Sequence, residues 1–156
     1  MIEISIPGYR DLQLEHAVFD YNGTLAVDGI LVEGLARSMG NLAQRLSVHV
    51  LTADTFGKAE GQLAHLPCQI SILPEDAQDR AKRDFVRQLG AARTVAVGNG
   101  RNDALMLQEA SLGVAVMLAE GVAGRTLATA DVVCRDIADA LALLDNPLRL
   151  VATLRC

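Results

Sequence analysis

The chain has 156 residues, of which 51% are hydrophobic and only 3% are aromatic, and its formal net charge is −5. The apolar fraction excludes an intrinsically disordered chain, and the acidic balance argues against a general nucleic-acid binder, which would carry a basic patch. No stretch approaches the roughly 18 apolar residues of a membrane span, and residues 1–5 lack the parts of a signal peptide, so we expect a cytoplasmic protein of one domain, residues 1–156.

In chain order, the first predicted element is a short β-hairpin, because residues 2–6 alternate apolar and polar side chains and residues 12–14 follow a Pro-Gly turn. After it, short apolar runs alternate with stretches of helical apolar spacing. The predicted strands are residues 16–20, 47–52, 69–73, 94–97, 113–116 and 131–133. The predicted helices are residues 33–46, 56–65, 74–89, 102–110, 120–129, 136–144 and 147–155. Residues 25–32 are expected to be a short turn.

Strands that are continuous apolar runs and alternate with helices are typical of a parallel sheet covered on both faces. The sequence therefore predicts an α/β fold of three layers, α/β/α. Its centre is a doubly wound, mostly parallel sheet, to which the short N-terminal hairpin is added. In such a sheet, ligands bind at the carboxyl ends of the strands.

Polar residues follow three of the predicted strands. Asp20 ends the first, Thr52 ends the second, and a glycine-rich segment with Asp103 follows the fourth. A carboxylate at this edge can attack phosphorus and form an aspartyl-phosphate. Mg²⁺, a lysine, a hydroxyl and backbone N–H groups can hold the phosphoryl group, and Asp20 with Asp103 would form an oxygen-rich cation site.

Four segments in this order resemble the motifs of the haloacid dehalogenase-like (HAD) superfamily. Residues 19–25 (Phe-Asp-Tyr-Asn-Gly-Thr-Leu) resemble the first motif, D-x-D-G-T, and residues 51–54 (Leu-Thr-Ala-Asp) resemble the second. Lys82 fits the third motif, and residues 97–104 (Val-Gly-Asn-Gly-Arg-Asn-Asp-Ala) resemble the fourth, G-D-G-x-N-D. Within the superfamily, residues 52–54, 74–76 and 130–133 are similar to the phosphorylation domain of P-type ATPases. The chain thus resembles a soluble, P-type ATPase-like phosphatase.

The resemblance implies a role for each matching residue in a Mg²⁺-dependent phosphohydrolase. Asp20 would be the nucleophile, assisted by Asn22, Thr52 and Lys82. The phosphate would be held by Gly23, Thr24, Thr52, Ala53 and Lys82. The metal ligands would be Asp20, Asn22, Asn99 and Asp103, with Asn102 orienting the cluster. Arg101, in the same motif, is interpreted as an ordinary surface cation.

Two positions depart from the family pattern. Asn22 stands where the family usually has the Asp that acts as general acid and base, and an amide cannot take or give that proton in the usual way. Asn99 replaces another usual Asp and removes one negative charge from the metal site. Two hypotheses therefore stay open: a phosphohydrolase slowed by Asn22, and a catalytically impaired phosphoryl-binding or regulatory module.

The chain is also too short to contain the cap that selects substrates in many relatives. Capless members of the superfamily act on macromolecules or cover the site by oligomerisation, so the expected partner is a phosphorylated small molecule or macromolecule. Self-association as a homo-oligomer is the second expectation. The candidate surfaces for it are the N-terminal hairpin and Pro147–Leu154.

Overall fold

The structure is a computed structural model that describes residues 1–54, 57–74 and 76–156. Within them the strands are β1 (Ile2–Ile6), β2 (Arg10–Leu14), β3 (His16–Asp20), β4 (Ala26–Val27), β5 (Ile30–Leu31), β6 (Ser47–Thr52), β7 (Gln69–Ile72), β8 (Thr94–Gly98), β9 (Leu112–Val116) and β10 (Val132–Cys134). The helices are α1 (Leu35–Ala43), α2 (Ala59–Leu63), α3 (Gln78–Leu89), α4 (Ala104–Glu109), α5 (Gly124–Thr129), α6 (Ile137–Asp145) and α7 (Pro147–Leu154). Short 3₁₀ turns occupy Ala91–Arg93 and Arg101–Asp103.

Six strands form the central sheet in the order β10-β9-β8-β3-β6-β7, and every neighbouring pair is parallel. This confirms the predicted doubly wound sheet. The chain first builds outward from β3 through β6 to β7, and α3 then carries it back to β8 on the other side of β3. Helix α3 is therefore the crossover at the point where the strand order reverses, which is where α/β sheets bind ligands.

Side chains alternate between the two faces of the sheet, and each face has its own hydrophobic cluster. Ala17 and Phe19 of β3 belong to a cluster that includes buried residues of α1, α6 and α7. Val18 belongs to a second cluster, formed with buried residues of α3 and α4. Asp20 has the same parity as Val18, so alternation directs its carboxylate to the side covered by α3.

The N-terminal hairpin is confirmed, since β1 and β2 pair antiparallel from Ile2–Leu14 to Ile6–Arg10. Its apolar face lies in the same cluster as Leu150 of α7. The backbone N–H of Cys156 also donates to the carbonyl of Pro7 at 3.2 Å. The apolar faces of the two segments considered for self-association are thus used inside the chain.

The expected turn at residues 25–32 is wrong, because the chain forms a small antiparallel hairpin there. Ala26 pairs with Leu31 and Val27 with Ile30. Asp28 and Gly29 form the turn with positive φ angles of 51° and 73°. An Asp-Gly pair favours this hairpin turn because both central residues need positive φ, so the signal was present in the sequence.

Helix α3 begins at Gln78 and not at residue 74. Ala77 has a left-handed φ of 55°, which no α-helical residue adopts, so the helix cannot extend backward through it. Glu75, in the predicted first turn, lies outside the described residues. So does residue 56, where the preceding helix was predicted to begin. Neither the segment after Asp20 nor that between Thr52 and Lys82 contains a cap domain among the described residues. No helix in the described ranges is long and apolar enough to cross a bilayer.

Candidate active site

Lys82 connects two carboxylates at the carboxyl edge of the sheet. From the second turn of α3, its Nζ lies 2.5 Å from Oδ1 of Asp20 and 2.6 Å from Oδ1 of Asp103. The side chain of Lys82 is 1% exposed, that of Asp103 is 0% exposed and that of Asp20 is 11% exposed. One buried ammonium thus lies between two carboxylates that come from different strand ends.

Asp103 is held by the glycine-rich segment that follows β8. Its Oδ2 accepts hydrogen bonds from the backbone N–H groups of Asn99, at 2.9 Å, and of Gly100, at 2.8 Å. A Cβ atom at Gly98 would lie 2.6 Å from the Asp103 side chain. The glycine therefore allows the close approach, and both carboxylate oxygens of Asp103 are used within the protein.

Thr24 and Asn99 lie on the other side of Asp20. The Thr24 hydroxyl is 3.3 Å from Oδ2 of Asp20 and 3.2 Å from the side-chain oxygen of Asn99. The Asn99 amide donates to the carbonyl of Gly121 at 2.9 Å. Gly23, with φ of 80°, packs so closely on Asn99 that a Cβ would overlap its amide, so residue 23 requires glycine for both its conformation and its contact.

Asn22 presents an unpaired oxygen. Its side-chain Oδ1 is buried and has no hydrogen-bond partner among the described residues. The nearby backbone is occupied: Gly23 N–H donates to Ala26 O at 2.7 Å, and Thr24 N–H to Tyr21 O at 3.2 Å. Because buried polar atoms normally have partners, the Asn22 oxygen is an available acceptor at this edge.

Thr52 ends β6 and Ala53 follows it, and Leu51 of the same strand lies beside Asp20 in the parallel register. The Thr52 hydroxyl is buried and accepts from the backbone N–H of Asp54 at 2.9 Å. The carboxylate of Asp54 accepts from Lys58 N–H and Ala59 N–H, each at 2.9 Å. Asp54 therefore caps the start of α2.

Residues that the sequence did not indicate also support the site. One is Gln78, whose Oε1 accepts a hydrogen bond at 2.7 Å from Asn102, the residue expected to orient the cluster. This contact ties the Arg101–Asp103 turn to the helix that carries Lys82. Buried Thr126 donates to the carbonyl of Gly100 at 2.6 Å. Gln78, Gly121 and Thr126 lie in no motif, and nothing in their local sequence distinguishes them from ordinary helix and loop residues.

Burial sets the ionisation of Asp20 and Lys82. Burial and then Asp103 raise the pKa of Asp20 from 3.8 to about 6, against Lys82, which lowers it. Burial lowers the pKa of Lys82, but Asp103 and Asp20 raise it more, so it lies above its ordinary value. The site thus contains two carboxylates and one ammonium, a net charge of −1 when all are ionised.

This electrostatic arrangement predicts a pH-dependent stability difference between the protein and its Asp20→Asn variant, without divalent cations. Because the pKa of Asp20 is higher in the folded state, its contribution to stability is fully present below 3.8 and is lost as pH rises through about 6. Asparagine does not ionise. The free energy of unfolding of Asp20→Asn should therefore increase relative to wild type across this window, by on the order of 3 kcal/mol.

The measurement is denaturant unfolding of both proteins at several pH values between about 4 and 7. The two proteins share every other titrating group. The contributions of those groups therefore cancel in the difference between the two free energies of unfolding. A difference that stays constant across the window would contradict the raised pKa.

The donors around Asp20 fit a hard cation. They are oxygens: Oδ2 of Asp20, the backbone carbonyl of Asn22 and Oδ1 of Asn99, while both oxygens of Asp103 accept hydrogen bonds within the protein. No cluster of three or more Asp, Glu, His or Cys side chains suited to a metal occurs among the described residues. Mg²⁺, however, is commonly held by one or two carboxylates together with substrate phosphates. The donor set therefore fits Mg²⁺, which these oxygens would hold together with a bound phosphate.

No family model matches the chain. An uncharacterized protein of Methanocaldococcus jannaschii is 48% identical over 63 residues, which are 40% of this chain and 68% of that protein.

The solved structures that match include phosphatases and HAD family hydrolases. A 3-deoxy-D-manno-octulosonate 8-phosphate phosphatase from Moraxella catarrhalis, in complex with magnesium, phosphate and KDO, has a TM-score of 0.70 at 16% identity, covering 91% of this chain and 94% of that one. The cobalt-bound deoxy-D-mannose-octulosonate 8-phosphate phosphatase from Haemophilus influenzae has a TM-score of 0.69 at 15% identity, covering 85% of this chain and 87% of that one. A HAD superfamily phosphatase from Bacteroides thetaiotaomicron has a TM-score of 0.57 at 11% identity (90% and 96%). The chain has the HAD fold.

Proposed function

We propose that this chain, which belongs to the same family as the uncharacterized M. jannaschii protein and has the HAD fold, is a Mg²⁺-dependent phosphohydrolase that works through an aspartyl-phosphate on Asp20. The observation that carries the proposal is the buried Lys82 ammonium between Asp20 and Asp103 at the switch point of the sheet. The magnesium and phosphate bound by the Moraxella phosphatase support the choice of cofactor and substrate class.

The proposed reaction has two displacements at phosphorus. The Asp20 carboxylate attacks the phosphate ester, an acyl-phosphate bond forms, and the bond from phosphorus to the departing alcohol oxygen breaks. Water then attacks the same phosphorus, which releases phosphate and restores the carboxylate. Lys82 and the Thr52 hydroxyl stabilise charge on the phosphoryl group, and Mg²⁺, when bound, adds charge neutralisation at its oxygens.

Asn22 is expected to slow the second displacement but not the first. An aryl oxide is a good leaving group and departs without a protein acid, so the first step with an aryl phosphate proceeds. The attacking water in the second step must lose a proton, and an amide cannot accept it as a carboxylate does. The aspartyl-phosphate is therefore expected to accumulate.

The test is rapid-mixing kinetics with 4-nitrophenyl phosphate and Mg²⁺. We expect a burst of nitrophenol equal to the enzyme concentration, followed by slow turnover, and no burst with a chelator. Asn22→Asp supplies the missing base, so its steady-state rate should rise by about 10²–10⁴-fold and the burst should disappear.

Asn22→Ala is the matched control, because it changes the same position without adding a base and keeps the backbone carbonyl that is proposed to hold Mg²⁺. It should therefore keep both the burst and the slow turnover. Absence of a burst together with absence of turnover in wild type and in Asn22→Asp would overturn the proposed phosphohydrolase.

The two asparagines also favour a second candidate, a phosphoryl-binding module without turnover. In that case beryllium fluoride with Mg²⁺ would bind at Asp20 and raise the melting temperature, as any ligand of the folded state does. Turnover would be absent in wild type and should appear in the Asn22→Asp/Asn99→Asp double variant, which restores both acids. A double variant that stays inactive would show that loss of these two acids is not the cause of inactivity.

A further inference from the structure

A cavity of about 510 Å³ is lined by residues that neighbour Lys82 on its helix and Asp103 in the chain. It lies between the start of α3, the Arg101–Asp103 turn and α5. Its lining residues are Ala77, Gln78, Asp79, Arg101, Asn102 and Arg125. Gln78 and Asn102 support the turn that carries Asp103, and none of the six has a direct role in the two displacements proposed above.

The walls of this cavity are continuous with the elements that hold the reacting groups. Gln78 and Lys82 are separated by four positions on α3, so they share a helix face with about 5–6 Å between their Cβ atoms. Asn102 directly precedes Asp103 in the chain. On the third wall, α5 is tied to the same loop because Thr126, next to Arg125, donates to Gly100 O at 2.6 Å.

The charge of the cavity differs from that of the reaction centre. Arg101 and Arg125 are exposed, and neither forms an ion pair with any residue that the structure describes. Some exposed arginines have carboxylate partners, for example Arg87 with Glu109 at 2.9 Å and Arg93 with Glu15 at 2.9 Å, whereas others, such as Arg37 and Arg149, have none among the described residues. Arg101 and Arg125 differ from those in that both line this cavity. With Asp79 as its acidic member, the lining has a net charge of +1, whereas the centre of Asp20, Lys82 and Asp103 has a net charge of −1.

We propose that Arg101 and Arg125 form a specificity subsite for a second anionic group of the phosphorylated substrate, an inference that rests on the proposed function. Guanidinium groups bind carboxylates and phosphates through paired N–H donors. A substrate that places its phosphate at Asp20 and a carboxylate or second phosphate in the cavity gains this contact in both the ground state and the transition state. A substrate with one anionic group cannot make it.

According to the proposal, removing the two arginines lowers kcat/KM only for substrates that have two anionic groups. The kinetic test compares phenyl phosphate with 4-carboxyphenyl phosphate and with 1,4-phenylene bisphosphate. In wild type, kcat/KM should be about 10-fold or more higher for either substrate with two anionic groups. In Arg101→Ala/Arg125→Ala this preference should fall to about 1, mainly through KM, and kcat/KM for phenyl phosphate should change less than about 2-fold, as expected for exposed residues outside the reaction.

Arg149→Ala, which removes an exposed arginine of α7, is the matched control and should keep the full preference. Arg101→Lys keeps the charge without the paired donors and should retain part of it. A preference for carboxylate over bisphosphate, or the reverse, identifies which anion the subsite takes. Equal kcat/KM for all three substrates in wild type, or an unchanged preference in the double variant, would overturn the subsite.

A binding measurement separates this result from failure of the proposed function. Phenylphosphonate, 4-carboxyphenylphosphonate and 1,4-phenylenebisphosphonate contain a carbon–phosphorus bond in place of the ester and are not hydrolysed by this chemistry. Calorimetric titration of wild type with Mg²⁺ should give about 10-fold tighter binding of either doubly anionic probe, lost in the double variant. This binding pattern in a chain that hydrolyses none of the esters would overturn the phosphohydrolase and support the subsite, whereas equal affinities would overturn the subsite alone.

Discussion

Asp20→Asn is expected to abolish phosphate release and the nitrophenol burst while leaving the protein folded. The substitution keeps the size and the hydrogen bond of the side chain to Lys82 but removes the nucleophile. Loss of a covalent nucleophile lowers turnover by about 10⁴–10⁶-fold in comparable systems. The measurement is phosphate release from 4-nitrophenyl phosphate with Mg²⁺, together with denaturant unfolding at neutral pH. Because the variant removes a buried charge from a centre with net charge −1, its stability should equal or exceed that of wild type.

The matched control is Asp136→Asn, which makes the same chemical change at the N-cap of α6, where the Asp136 carboxylate accepts from Asp139 N–H at 2.7 Å. Asparagine also caps helices well, so both stability and activity should remain near those of wild type. Full activity in Asp20→Asn would show that the reaction does not use this carboxylate.

Lys82→Met is expected to produce the largest loss of stability among single substitutions at the site. Methionine fills a similar volume and suits a helix, but it leaves Asp20 and Asp103 buried without their shared counter-ion. Removing one partner from a buried ion pair lowers the free energy of unfolding by about 3–5 kcal/mol. Denaturant unfolding at neutral pH without divalent cations measures the effect, and added Mg²⁺ should restore part of it by pairing with the same carboxylates.

Lys58→Met provides the comparison, because the chain has only these two lysines and Lys58 is exposed. Its effect should lie within about 0.5 kcal/mol of zero. The double variant Asp20→Asn/Lys82→Met should recover part of the stability lost in Lys82→Met, since it removes one of the two uncompensated carboxylates. If Lys82→Met unfolds like wild type, the buried bridge does not stabilise the protein as proposed.

The central part of the fold could be predicted because its signals are local. His16–Asp20 and Ser47–Thr52 are apolar runs, and the structure has strands with those bounds. The less successful predictions depended on backbone torsions. The left-handed φ of Ala77 shortens α3 at its start, and nothing about alanine predicts that conformation. The hairpin at Asp28 and Gly29, in contrast, followed from an Asp-Gly signal that was read as a simple turn.

For the site, the sequence indicated candidate residues, and the structure shows the contacts among them. Sequence order placed Asp20, Lys82 and Asp103 in separate segments, and only the crossover of α3 brings the ammonium within 2.6 Å of both carboxylates. The role of Gln78 and Thr126 as supports also depends on contacts between segments distant in the chain. The sequence likewise does not show that Arg101 and Arg125 line one cavity, because this depends on how the turn after β8 packs against α5.

By itself, then, the sequence determined the type of each element and the chemistry available at the strand ends, because periodicity, turn residues and side-chain type act over a few residues. The 156 residues, half of them apolar, specified an aliphatic sheet between helices, with only short segments after Asp20 and between Thr52 and Lys82. The tertiary structure decided which polar groups share one buried volume, and therefore the raised pKa of Asp20, the unpaired oxygen of Asn22 and the pairing of Lys82. Those properties depend on burial and distance, which local patterns do not contain.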